Sequence, residues 1–263
     1  MATFRELHHG TAPLVLPNAW DVGSALAFAA AGYPAVGTTS FGIAASAGMP
    51  DGGRSSRLAT LTLVAQLSHM DVHVTADIED GYSDDPADVA DLVAELASLG
   101  VSGINLEDST DGHLVDPAAA AAKISTVKHR NPGIFINARV DNFWVSEQAT
   151  VDQVLSRARH YEVAGADGIF VPGLARPEDI RAVTAGTSLP VNVLAHPTLT
   201  VAELGALGVR RISSGSLPYR RAVDAAVEAV NALRDGSPLP PATPYWDLQA
   251  RLVGFRQNPA ETD

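Results

Sequence analysis

The stretch VTADIEDGYSDD, Val74 to Asp85, carries five carboxylates within nine residues, directly behind an alternating apolar run. Alternate strand residues share a face, so Asp77 and Glu79 are expected to point the same way. Two carboxylates aimed together repel and raise each other's pKa, and a divalent cation between them relieves that cost. Glu107, in GINLED, would complete an oxygen-only set suited to magnesium, with manganese as the alternative, rather than zinc. The bland reading of the same residues is a solvated acidic rim. Arg139 sits in NARVD with Asn137 and Asp141 alternating on its face. Its planar fork could bind a substrate carboxylate or phosphonate, or neutralise the acidic cluster as an ion pair, and the two roles are compatible.

GTTSFGIAASAGMPDGGR is long and rich in small residues. The backbone amides of Thr39, Ser40 and Phe41 could hold an anion, and Asp51 could swing over the site. The composition equally suits a flexible surface loop. Asn192, in PVNVLA, is assigned to the substrate-binding set. His196 reads as a loop histidine near the site, and the other histidines, His8 included, as surface or helix positions. No G-x-S-x-G elbow is present, and SSGS at Ser213 to Ser216 has no evident paired base. The chain has no cysteine. That removes disulfides, thiolate nucleophiles and cysteine-ligated zinc, leaving oxygen or imidazole for any metal.

Eight rounds of a short β-branched run followed by an Ala/Leu-rich helical segment organise these residues. The strand runs are PLVLPNAW, AVGTTSF, VHVTADIE, GINLED, IFINARVD, GIFVPG, PVNVLA and RRISSG. Gly32, Gly100, Gly165 and Gly208 read as helix C-caps, and Asp85-Pro86, Asp116-Pro117 and Arg176-Pro177 as helix starts. The pattern predicts an α/β fold, a (β/α)8 TIM-type barrel over residues 1–236, with the acidic residues at the strand ends where such barrels place their chemistry. A doubly wound open sheet is the alternative, disfavoured because no G-x-G-x-x-G opens a helix. Residues 237–263 form a proline-rich linker and a short amphipathic segment with Trp246, Leu248, Leu252 and Phe255, expected to pack on a neighbouring subunit or back on its own barrel. A net charge of −12 argues against nucleic-acid or anionic-membrane partners. No apolar run is long enough to span a bilayer, and a cytoplasmic protein is expected.

PNAWDVGSALAFAAAGYPAVGTTSFGIAASAGMPDG, VTADIEDGY, GINLED, INARVD and AGADGIFVPG, in that order, make the chain resemble the isocitrate lyase/phosphoenolpyruvate mutase superfamily. The resemblance implies a barrel whose last helix is exchanged between subunits of a homodimer or homotetramer. It also implies magnesium at Asp77, Glu79 and Glu107, with Asp77 touching the ion and the others acting partly through water. Asp51 matches the family's loop aspartate, Arg139 its substrate-anion arginine, and Thr39 to Phe41 its cradle for a 2-oxo acid carboxylate. No organic cofactor is implied. In place of the lyases' K-x-C-G-H loop the chain has LEDSTDGHLVDPAA, so the usual lyase acid is absent. The longer lysine- and asparagine-bearing loop of the phosphonate enzymes is missing too, and Pro172 stands where some of them have histidine. The leading expectation is magnesium-dependent cleavage of a carbon-carbon bond in a small 2-oxo or 2-hydroxy carboxylate through an enolate, as a lyase or decarboxylase. The alternatives are a non-catalytic 2-oxo acid binding protein and a phosphonopyruvate hydrolase or phosphoenolpyruvate mutase.

Overall fold

The computed structural model describes residues 2–257. Its centre is a parallel sheet rolled into a ring. The first strand is in two pieces, β1 (Leu14–Leu16) and β2 (Asn18–Ala19), separated by Pro17. There follow β3 (Ala35–Thr38), β4 (His73–Asp77), β5 (Gly103–Leu106), β6 (Phe135–Arg139), β7 (Gly168–Phe170), β8 (Val191–Leu194) and β9 (Arg211–Ser213). β2 pairs with β3, while β1 pairs with β9 in the register Leu14 to Arg211 and Leu16 to Ser213. Because β1 and β2 are one strand interrupted at a proline, these two pairings close an eight-position barrel, which excludes the open sheet. Proline is tolerated at the break since the neighbours use carbonyls there: Gly37 N–H donates to Pro17 O and Ser214 N–H to Leu16 O.

Helices α1 (Val22–Ala30), α3 (Arg57–Leu67), α4 (Pro86–Ser98), α5 (Pro117–Arg130), α6 (Val151–Val163), α7 (Pro177–Gly186) and α8 (Val201–Ala206) alternate with the strands, and α2 (Ser40–Ser46) is an extra turn after β3. The local chemistry of α4 shows why they form. Asp85 caps its N-terminus by accepting from Ala87 N–H at 2.8 Å, Pro86 occupies the first turn, and Gly100 follows at φ 84°. Val89, Leu92, Val93 and Leu96 recur at helical spacing and are all buried, each worth roughly 1.5–3 kcal/mol on full burial. They pack on Ile78, Ile104 and Ile136 from the sheet's outer face.

Two helices follow the ring. Neither α9 (Leu217–Arg234) nor α10 (Tyr245–Gln257) has a buried residue in the single chain. α9 exposes Val223, Val227, Val230 and Leu233, and α10 exposes Trp246, Leu248 and Leu252. α10 lies beside α1 and α3 across a cleft of about 760 Å³ lined by Val22, Ala65, Leu252 and Phe255. Residues 258–263 of the expected C-terminal segment lie outside those described. Among the described residues no helix is long and apolar enough to cross a membrane.

Candidate active site

Asp77 ends β4 at the carboxyl end of the barrel. Its N–H donates to Thr38 Oγ1 at 2.8 Å, and its Oδ2 accepts from Ser40 N–H at 3.1 Å. Its Oδ1 is buried and has no protein partner. A buried carboxylate oxygen without a donor carries a desolvation cost that a bound cation removes.

Glu79 does not follow the strand alternation expected of it. β4 stops at Asp77, and Glu79 takes a left-handed conformation, φ 50°, in a turn closed by Gly81 N–H donating to Ile78 O. The turn aims its carboxylate at the segment after α2, where Oε1 accepts from Ser56 Oγ at 2.6 Å and Oε2 from Arg54 N–H at 3.0 Å. Burial, then the charges of Asp77 and Asp51, push its pKa up against those hydrogen bonds. Glu107, just beyond β5, is bonded to Arg139 Nη1, and its N–H donates to Glu79 O at 2.8 Å. Burial drives the Glu107 pKa well up, Arg139 opposes this, and Asp141, Asp77 and Asp51 add to it.

The three expected ligands therefore share one rim without forming a direct triad. Among the described residues no three acidic or imidazole side chains come close enough to ligate one ion. Of the three, Asp77 has a buried oxygen without a donor, Glu79 has both oxygens engaged, and Glu107 gives Oε1 to Arg139. This donor set fits magnesium, which binds through one or two carboxylates and keeps several of its waters.

Arg139, at the end of β6, gives Nε to Asp141 Oδ1 at 2.6 Å and Nη1 to Glu107. Burial works against its charge, but Glu107, Asp141 and Asp77 outweigh it and raise its pKa. The ion-pair role is thus realised, through Nε and Nη1. Its guanidinium lies 5.5 Å from the ring of Trp144, which stands 55% exposed at the mouth.

Within the small-residue stretch after β3, Ser40–Ser46 folds as α2 with Thr39 at its N-cap, while residues 47–54 lie in neither helix nor strand, as expected of a loop. The three-amide cradle is changed accordingly. Thr39 N–H donates to Ala19 O at 3.1 Å and Ser40 N–H to Asp77, so only Phe41 N–H, in the first helical turn, is left without a carbonyl partner. Asp51 stands at the rim with its pKa raised by partial burial and by Asp77. Asn192 is not at the rim. It is buried inside the barrel, its Nδ2 donating to Ser213 Oγ at 3.1 Å. His196 is a loop histidine: its Nδ1 accepts from Leu199 N–H and its Nε2 contacts Ala175 O.

Arg54, Ser56, Ser109, Thr110, Trp144 and Arg211 escape the sequence reading. Arg54 clasps Asp80 through Nε and Nη2 and also meets Asp84. Ser109 and Thr110 pair with Leu114 and His113 in a two-stranded hairpin just after β5. Ser109 Oγ donates to Asp141 and Thr110 Oγ1 to Asp80. The cleft so enclosed, about 470 Å³, is lined by Asp51, Arg54, Glu79, Glu107, Arg139 and Trp144, among others.

The phosphoenolpyruvate phosphomutase family model matches residues 4–234. The chain belongs to that family. It is 49% identical over 260 residues to an uncharacterized protein of Mycobacterium tuberculosis, covering 99% of this chain and 100% of that one. It is 30% identical over 201 residues to an oxaloacetate decarboxylase of Bradyrhizobium sp., covering 70% of this chain and 63% of the relative's length. A phosphonopyruvate hydrolase solved with oxalate and magnesium superposes with TM-score 0.84 at 24% identity, covering 98% of this chain and 97% of that one, which shows the shared fold. The phosphomutase-family chain is thus an enzyme-superfamily barrel of the isocitrate lyase/phosphoenolpyruvate mutase kind, whose members are lyases and mutases.

Proposed function

We propose that the protein is a magnesium-dependent enzyme that cleaves a carbon-carbon bond in a small 2-oxo or 2-hydroxy carboxylate. The observation that carries this reading is the buried, unpartnered Asp77 Oδ1 beside a rim of Asp51, Glu79, Glu107 and Arg139. Asp77 would hold the ion directly, and Glu79 and Glu107 would hold its waters. Magnesium, when bound, supplies positive charge opposite the 2-oxo oxygen, where negative charge grows as the bond breaks. Arg139, fixed on two sides by Asp141 and Glu107, orients the substrate carboxylate with Nη2. Asp51, whose pKa is raised by burial and by Asp77, takes a proton from the substrate hydroxyl or from water, or delivers one to the carbon left as enolate. Trp144 and the Ser109–Leu114 hairpin limit water at the mouth. The family membership and the magnesium and oxalate in the phosphonopyruvate hydrolase support the metal and the ligand class.

Calorimetry with magnesium and oxalate tests this. Wild type is expected to bind oxalate only with magnesium, and Asp77→Ala to lose both while keeping its thermal transition. Intact binding in Asp77→Ala, with no turnover of oxaloacetate, phosphonopyruvate or methylisocitrate by the wild type, would overturn it. A non-catalytic 2-oxo acid binder is the second reading, favoured by a hairpin whose Ser109 and Thr110 hydroxyls are already engaged. Tight magnesium-dependent oxalate binding without turnover would select it.

The same reading extends to assembly. α9 presents Val223, Val227, Val230 and Leu233 to solvent, an apolar stripe that an exchanged helix in a homodimer or homotetramer would bury.

A further inference from the structure

Arg211, on β9, is the bulkiest of the fully buried side chains. Its Nε donates to Ser213 Oγ at 3.1 Å and its Nη2 reaches across the barrel to Asn105 Oδ1 at 3.2 Å. Nη1 has no partner, and no ion pair joins Arg211 to a carboxylate among the described residues. Asn105 is the register neighbour of Asp77, so the guanidinium ends against the residue paired with the proposed metal ligand. Asn137 Nδ2 donates to the same Asn105 oxygen at 2.9 Å. Thr75 Oγ1, Asn137 Oδ1 and Asn192 Oδ1, also buried, complete a polar layer beneath the site. Glycines leave room for it: a Cβ at Gly168 would lie 3.2 Å from Asn137 Oδ1, and one at Gly37 would lie 2.8 Å from Asn18 Nδ2.

A guanidinium buried without a carboxylate in contact is costly, and an apolar side chain of similar volume would pack there more cheaply. Burial lowers the Arg211 pKa to about 9, with Asp77 the charge that opposes the shift, so the group is still cationic near neutral pH. We propose that Arg211 is a positioning residue of the reaction: its charge, held under Asp77, sets a positive potential on the floor of the site that favours the anionic ligand and disfavours the cation alone. The inference rests on the magnesium and 2-oxo acid reading given above.

The test exploits opposite signs. Neutral variants Arg211→Met and Arg211→Gln are compared with Arg211→Lys by calorimetry, with magnesium alone and then oxalate on the magnesium-loaded protein. The sign is read on whichever neutral variant keeps the wild-type thermal transition. Losing a unit charge within the low-dielectric floor is expected to tighten magnesium about tenfold and to weaken oxalate about tenfold. Arg211→Lys is expected to stay within about threefold of wild type on both measures. A merely structural arginine would weaken both ligands together. That result, no change in either, or a lysine variant behaving like the neutral ones would overturn the proposal. Wild type binding neither magnesium nor oxalate would instead overturn the functional reading beneath it.

Discussion

His8 lies at the amino end of the barrel, stacked on Phe135 with ring centroids 4.1 Å apart and Nδ1 bonded to Phe4 O. The sequence reads it as a surface or helix position; it lies in the short 3-10 helix Glu6–His9 and is only 2% exposed. Burial first, and then the charge of Arg211, push its pKa down to about 3 from 6.5. With the folded pKa depressed, the unfolded chain takes up the proton first as pH drops. The stabilising contribution is complete above about pH 6.5 and is lost progressively as pH falls toward 3. His8→Phe is expected to flatten stability between pH 6 and 4 relative to wild type, by up to about 1.4 kcal/mol per pH unit. Urea midpoints measured across that range check it, and parallel slopes would refute it. Residues such as Asp77, Glu107 and Arg139 were legible because strand ends announce themselves in the hydrophobic alternation. The partners of Asp108 were not. Arg157 and Tyr161 bond its carboxylate from 49 and 53 residues away, and only the packing of α6 over the strand ends brings them there.

At the scale of elements, the glycine C-caps and Asp-Pro helix starts carried over because they are set by local backbone and side-chain chemistry: Gly32, Gly100, Gly165 and Gly208 all have positive φ. Period-2 reasoning failed one residue past the end of β4, where the Ile78–Gly81 turn begins and strand geometry no longer applies. That turn needs its glycine. Gly81 has φ 89°, and a Cβ there would meet both methyl carbons of Val89 at 2.7 Å. Gly81→Ala is expected to cost about 2 kcal/mol or more in urea denaturation, and to weaken magnesium binding by shifting Glu79. A variant with wild-type stability would show that the turn relaxes freely. α2 was hidden for a different reason. Glycine, alanine and serine describe a loop by composition, and the helix exists because Thr39 caps it and Ile43 and Ala44 are buried beneath it.

For the molecule as a whole, α9 and α10 stand apart, because neither has a buried residue in the single chain. The stripe of Val223, Val227, Val230 and Leu233 is about three turns of apolar surface that lies on no core of its own. Val227→Asp with Val230→Asp is expected to convert an oligomer into monomers, read by light scattering. Unchanged mass in that variant would refute the exchange. The barrel, its closure included, was legible because its repeats are visible one by one. The break of its first strand at Pro17 was not, and the β1 to β9 and β2 to β3 registers show that both pieces belong to one ring.

That same register fixes an order of events during synthesis. Leu14 emerges from the ribosome early but cannot find its partner until Arg211 has followed, so the seam is the last backbone pairing available to the growing chain. Until then β1 stands without that neighbour, and it is over this interval that the nascent protein is most open to edge-to-edge association with its neighbours.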